Sequence, residues 1–119
     1  GRAAIQAITI DDSMFDRYKT KQDFIQKYIF PGGFLPSLNQ IKQISKNNKL
    51  NLEKINSYSD DYAKTLASWR NNFLNAWDNI APLGFDDYFK RMWEFYLSYC
   101  EAGFRAKNID LIQFSMSNR

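Results

Sequence analysis

Residues 3–10 read AAIQAITI, uncharged throughout and, apart from Gln6, small or β-branched. A strand covered on both faces reads this way, as strands of a parallel sheet do, because neither face has to meet water. Asp11, Asp12 and Ser13 follow with helix-start chemistry: a capping oxygen, and negative charge at the positive end of a helix dipole. The reading is a strand leading into a helix. Phe15, Tyr18, Ile25 and Tyr28 then stand at helix-compatible spacings, which predicts a helix or a broken helix over 14–28.

Outward from that unit, IFPGGFLPS at 29–37 stops regular structure, because Pro31, Gly32, Gly33 and Pro36 crowd together. Phe30 and Phe34 flank the turn. An apolar loop packs on a neighbour or lines a ligand pocket, and both readings stay open at this point. Pro36 fits the first turn of a helix over 37–46, whose stripe is Leu38, Ile41 and Ile44. After a polar turn at 46–49, Leu50 and Leu52 alternate with Asn51 and Glu53, a strand near 49–56. Ile55 breaks the alternation, the sign of a bulge or a strand end.

Tyr62, Leu66, Trp69, Phe73, Trp77 and Ile80 form one continuous helical face over 59–80. Ser59, Asp60 and Asp61 open that helix and Pro82 ends it. A second aromatic helix, 85–104, carries Phe89, Trp93, Tyr96, Tyr99, Cys100 and Phe104. Asp86 and Asp87 open it, and Arg105 and Lys107 close it, as the dipole favours. IDLIQFSM at 109–116 is a last strand, with Leu111, Gln113 and Ser115 on one side and Ile112, Phe114 and Met116 on the other. The pattern is α/β with few strands and heavy helices.

The 119 residues make one domain, 1–119, and 45% apolar content supplies a core. With no His, every His-dependent mechanism is excluded from these residues. A single Cys, Cys100, excludes an internal disulfide and a Cys-rich zinc site. None of the five glycines forms GxGxxG or GxxxxGK, so these residues hold no glycine-rich cofactor loop. No apolar run approaches the ~20 residues of a membrane span. The net charge of +3 is spread over helix faces and does not read as a nucleic-acid surface. The pairs Asp11/Asp12, Asp60/Asp61 and Asp86/Asp87 all sit at helix starts, which accounts for them without catalysis. Cys100 reads as a buried, inert thiol. The aromatic stripes read as core packing, with an apolar pocket for a lipid chain or a cationic intermediate as the functional alternative.

The order of motifs carries more. KYIFPGGFLPS at 27–37, YAKTLASW at 62–69 and CEAGFRAKNIDLIQFSM at 100–116 closely resemble the C-terminal part of bacterial cyclopropane-fatty-acyl-phospholipid synthases and mycolic acid cyclopropane synthases. The resemblance runs over about 3–117. It implies the C-terminal part of a Rossmann-like, S-adenosylmethionine-dependent methyltransferase: a three-stranded mixed sheet with large helices, in which 109–116 pairs with both 3–10 and 49–56. The strand 3–10 is then an exposed edge, and a homo-oligomer through it is expected. The cofactor site is implied to lie in an N-terminal part preceding these residues, so that they alone neither bind S-adenosylmethionine nor turn over substrate.

The implied reaction is methyl transfer to a cis double bond in a phospholipid acyl chain, followed by proton loss to a bound bicarbonate and ring closure. The implied setting is cytoplasmic, peripheral to the inner membrane face. By the same resemblance Tyr62 and Ile10 match two holders of the bicarbonate, while Ile8 stands where the family has a His. Gln6, two residues earlier, is on the same side of the strand as Ile8 and Ile10. Phe30, Gly32, Gly33, Phe34 and Trp69 are the expected substrate-side residues. The alternatives are a small-amine N-methyltransferase, whose plant members share a similar tail, and a non-catalytic lipid-binding or interaction module.

Overall fold

A computed structural model describes residues 1–118. Its sheet has three strands, β1 (Arg2–Ile10), β2 (Asn51–Ser57) and β3 (Ile109–Ser117), in the order β1-β3-β2. The predicted central place of β3 is thus met. β1 pairs with it without a break, from Arg2 opposite Ser117 to Ile10 opposite Ile109. Both ladders are antiparallel, so the mixed character expected of the sheet reduces to one parallel bridge between Ile10 and Ser37. The β2–β3 register shifts between Glu53 and Asn56, where Lys54 adopts φ 45°. The break at Ile55 is therefore a bulge.

One expectation for β1 fails over most of its length. Only Thr9 and Ile10 are buried, while Arg2 to Gln6 are exposed. The helices pack at the other end of the strand, where Ile8 meets a core of Ala63, Leu66, Leu97 and Phe104.

The stretch 14–28 is a broken helix. A 3₁₀ turn at Asp12–Met14 runs into one α-turn, α1 (Phe15–Tyr18), and a π-helical turn follows at Ile25–Ile29. The Thr20 hydroxyl donates to the Arg17 carbonyl at 3.0 Å, competing with helix continuation. The chain restarts at Asp23, whose carboxylate accepts the Gln26 N–H at 2.8 Å while the Asp23 N–H donates to the Gln26 side chain at 3.0 Å. That is a reciprocal capping box. The next helix, α2 (Leu38–Asn47), is capped by Ser37, which accepts from the Gln40 N–H at 3.2 Å. Pro36 therefore precedes the cap rather than lying in the first turn.

The helix predicted over 59–80 is shorter. α3 (Ser59–Asn75) ends at Ala76, well before Pro82, and one turn, α4 (Trp77–Ile80), follows. Asn71, Asn72, Asn75, Asp78 and Asn79 are weak helix formers that compete for the backbone, and they surround the break. The second long helix is α5 (Asp87–Arg105), capped by Asp86 through the Phe89 N–H at 2.9 Å.

α3 and α5 pack on each other, but their aromatic stripes are less a core than a half-buried ladder. Phe73 meets Phe89 edge-on at 6.2 Å, and Phe89 stacks on Trp93 at 5.8 Å. Ser59 does not cap α3. Its buried hydroxyl donates to the Phe104 carbonyl at 2.6 Å, tying the first turn of α3 to the last turn of α5. Arg70 reaches from α3 to Glu101 at 2.9 Å and donates to Ser98 at 3.0 Å.

Candidate functional site

A cavity of about 500 Å³ lies where the end of β1, the broken helix over 14–26, the loop around 30–35, the start of α3, the last turns of α5 and the start of β3 converge. That volume falls within the ~300–1,000 Å³ typical of small-molecule pockets. Its wall is mostly aliphatic and aromatic: Ile8, Ile10, Phe34, Leu66, Tyr96 and Phe104 stand on it.

The loop wall follows from its glycines. Gly32 sits at φ 79°, a left-handed turn position that a side chain disfavours. Gly33 is required by space, since a Cβ there would lie 2.9 Å from the Phe30 carbonyl oxygen. The Gly33 N–H donates to that same oxygen at 2.8 Å. Gln26 donates to the Gly33 carbonyl at 3.0 Å, and the Tyr18 hydroxyl accepts the Leu35 N–H at 2.9 Å. So held, the loop places Phe30 and Phe34 on the cavity, with Phe34 packed on Tyr18 at 5.2 Å.

Of the residues expected from the sequence, Tyr62, Ile10, Phe30, Gly33 and Phe34 line the cavity. Gly32 and Trp69 do not. Gly32 occupies the tip of the turn in open space. Trp69 is 47% exposed and touches the Tyr62 ring edge-on at 5.9 Å, behind the wall.

Tyr62 is fixed from the other side by Phe104, with ring centroids 4.9 Å apart at 84°. Its N–H is not available to a ligand, because it donates to the Tyr58 carbonyl at 2.9 Å. Its hydroxyl is available: among the described residues it meets no hydrogen-bond partner. Burial raises its pKa, so the phenol stays protonated and is a donor at neutral pH. Ile10 contributes only its side chain, since its N–H donates to the Pro36 carbonyl at 3.0 Å. Ile8 puts an aliphatic side chain on the wall where the resemblance implies an imidazole. Gln6 does not replace it. Gln6 is exposed, accepts from Gln113 at 2.9 Å and lies off the cavity.

Sequence reasoning missed Tyr18, Asp23, Tyr96 and Tyr99 as wall residues, and took Cys100 for core alone. Tyr96, Tyr99 and Cys100 stand three and four apart on α5, a spacing that reads equally well as packing. Burial, then the nearby Cys100 and Tyr62, pushes the Tyr96 phenol up to about 12. Burial, then Asp23, pushes the Cys100 thiol from 9.0 to about 11. The inert thiol expected from the sequence is consistent with this.

Alkylation of Cys100 by iodoacetamide at neutral pH is expected to be at least ~10-fold slower in the folded than in the denaturant-unfolded protein. The folded state binds this proton more tightly. The stabilisation is therefore complete below pH 9.0 and is lost as pH rises through 9.0 to about 11. Equal alkylation rates in the two states would contradict the assignment.

The family model for mycolic acid cyclopropane synthetase matches residues 1–114. The chain belongs to this family. It is 44% identical over 117 residues to the tuberculostearic acid methyltransferase UfaA1 of Mycobacterium tuberculosis, covering 98% of this chain and 27% of that protein. It is 43% identical over 94 residues to the cyclopropane-fatty-acyl-phospholipid synthase of Escherichia coli, covering 79% of this chain and 24% of that protein. The chain thus spans about a quarter of the length of these curated relatives.

Among solved structures, mycolic acid cyclopropane synthase CmaA1 complexed with SAH and CTAB superposes with a TM-score of 0.83 at 26% identity, over 98% of this chain and 44% of that one. The fold is that of the S-adenosylmethionine-dependent methyltransferases, and S-adenosylmethionine is the cofactor of this family. Among the described residues no GxGxxG sequence stands ready to receive it.

Proposed function

We propose that residues 1–119 act as one unit, the C-terminal, substrate-side portion of a methyltransferase that acts on unsaturated acyl chains of phospholipids. The observation that carries this is the cavity: an apolar, aromatic chamber of about 500 Å³ whose wall includes the phenol of Tyr62, without a hydrogen-bond partner among the described residues, in a chain of this family. The aliphatic wall suits an acyl chain and excludes water. The faces of Tyr62, Tyr96 and Phe104 suit the positive charge that alkene methylation creates. The cofactor supplies the methyl group from outside these residues, which alone neither bind it nor turn over.

A bicarbonate held beside Tyr62 is part of the reading, with the phenol as donor. Ile8 removes one polar holder, and the Ile10 N–H is already used. These two facts favour methylation without ring closure, in keeping with the methyltransferase among the relatives.

The rim supports work at a membrane surface on the cytoplasmic side. Tyr28, Phe30, Phe34 and Phe95 are exposed, and Lys19 and Lys27 lie over the rings of Phe15 and Tyr28. Aromatic and basic residues together are what interfacial surfaces use. No helix among the described residues is long and apolar enough to cross a membrane. The free edge of β1 is offered to a further strand, in the preceding chain or in a second copy.

The test is to incubate the full-length protein with S-adenosylmethionine and phospholipid vesicles bearing monounsaturated chains, then to analyse the extracted lipids by mass spectrometry. Gain of one CH₂ on the acyl chain is expected. Ozonolysis then cleaves a methylene-branched product and spares a ring, and cleavage is expected. Lipids unchanged in mass, or methyl groups found only on a small amine, would overturn the proposal.

A further inference from the structure

Residues 38–52 carry the whole net charge of the chain. Of the 16 Lys and Arg, Lys42, Lys46 and Lys49 lie in this stretch, so the other 13 match the 13 Asp and Glu, every one of which lies outside it. The same three side chains line an open pocket of about 450 Å³ between the end of α2 and the start of β2, with Ser45, Leu50 and Leu52 beside them and no acid on the wall among the described residues. None of the three is in an ion pair among the described residues. Glu53, the next acid in sequence, is off the wall and accepts the Ser117 hydroxyl at 2.7 Å. The pocket lies where Asn51 faces Ser117, and the cavity where Ile10 faces Ile109, which sets the two on the order of 27 Å apart along β3.

Local rules do not ask for this arrangement. Lys46, in the last turn of α2, suits the helix dipole. Lys42 does not share that benefit, and at four residues from Lys46 on the same helix it repels that ammonium group. Lys49 follows the helix at φ 56°, a left-handed position where Gly or Asn is the ordinary choice and a side chain costs backbone energy. Lys107 takes a similar conformation at φ 62°, but Asp60 holds it at 2.6 Å, and no carboxylate does the same for Lys49 among the described residues. Each ammonium is a compact point charge, and an anion with several oxygens relieves the repulsion among the three.

We infer that Lys42, Lys46 and Lys49 form a binding site for a phosphate-bearing ligand, separate from the cavity. A phosphate monoester brings about two negative charges and an acceptor oxygen for each ammonium group, where a carboxylate brings one charge and one oxygen fewer. The site rests on charge and geometry at the far end of the sheet, and neither on methyl transfer nor on what fills the cavity.

The experiment uses the full-length protein and inorganic pyrophosphate as the probe, titrated by calorimetry at one fixed salt concentration. Saturable binding is expected, with a Kd below about 1 mM. Lys42→Gln and Lys46→Gln are each expected to weaken it roughly 5-fold, while Lys64→Gln, exposed on α3, leaves it unchanged. Lys49→Gly is the sharper variant. It should weaken pyrophosphate by the same factor yet melt no lower than the wild type, because Gly takes the left-handed turn without strain. Absence of saturable binding overturns the site. So does binding that all three pocket variants leave at wild-type strength, or that Lys64→Gln weakens as much as they do. Vesicles of phosphatidic acid against phosphatidylcholine then identify the source: a preference for phosphatidic acid that is lost in the pocket variants assigns the phosphate to a lipid headgroup, and pyrophosphate binding without such a preference assigns it to a soluble phosphate compound. The methyl-transfer assay above reads neither affinity, so the two readings fall separately.

Discussion

Phe at position 62 of the full-length protein is expected to cut methyl transfer to phospholipid by roughly 10-fold or more, a loss of ~1.4 kcal/mol in the transition state. The substitution keeps the ring, so the edge contacts to Phe104 at 4.9 Å and Trp69 at 5.9 Å remain. It deletes only a hydroxyl that meets no partner among the described residues. No internal hydrogen bond is therefore given up, and stability should move by at most about 1 kcal/mol. The variant thus separates a structural role from a chemical one. Turnover is measured with and without added bicarbonate, and the response to bicarbonate is expected to flatten in Tyr62→Phe. Wild-type turnover with an unchanged response would make Tyr62 a packing residue.

The largest loss of stability is expected at Phe104. The side chain is 1% exposed and packs with Ala63, Leu66 and Leu97 at the meeting of α3 and α5. Truncation to Ala leaves a cavity the rigid helices cannot close, and costs about 3–5 kcal/mol. Whole domains hold only about 5–15 kcal/mol, so the variant should be largely unfolded at moderate urea. Urea titration of Phe104→Ala followed by circular dichroism checks this, with Phe95→Ala as the comparison. Phe95 is 51% exposed, and its loss should cost far less. Equal midpoints for the two variants would show that the core lies elsewhere.

Much of the framework is legible in the residues because local rules and burial agree there. The alternation through Ile112 and Phe114 marks β3, and Asp86 begins α5 with a cap. The failures share a cause, which is that sequence periodicity does not say what an element packs against. The apolar run at 3–7 predicts cover that these residues do not find. The stripe through Trp77 predicts one long helix, but asparagines break the backbone while the aromatic contact from Phe73 to Trp77, 5.7 Å, persists across the break. In the site, Tyr62 is legible because its motif is distinctive. Asp23 is not, because a lone carboxylate in a polar stretch carries no pattern until the chain folds it onto a wall.

The two sides of the cavity are fastened very unequally. Ser59 and the Phe104 carbonyl, 45 residues apart in sequence, are joined by a buried 2.6 Å bond, and Tyr62 is braced on the same Phe104. The opposite wall is held by half-buried hydrogen bonds from Gln26 to the Gly33 carbonyl and from the Leu35 N–H to Tyr18, with the Phe30 N–H donating to the Ile25 carbonyl and the Ile10 N–H to the Pro36 carbonyl at its two ends. Local opening is therefore expected first in the segment with Phe30 and Phe34, read as faster amide exchange there than around Tyr62. A wider ligand is then expected to displace the Phe30 and Phe34 rings before it displaces the Tyr62 phenol.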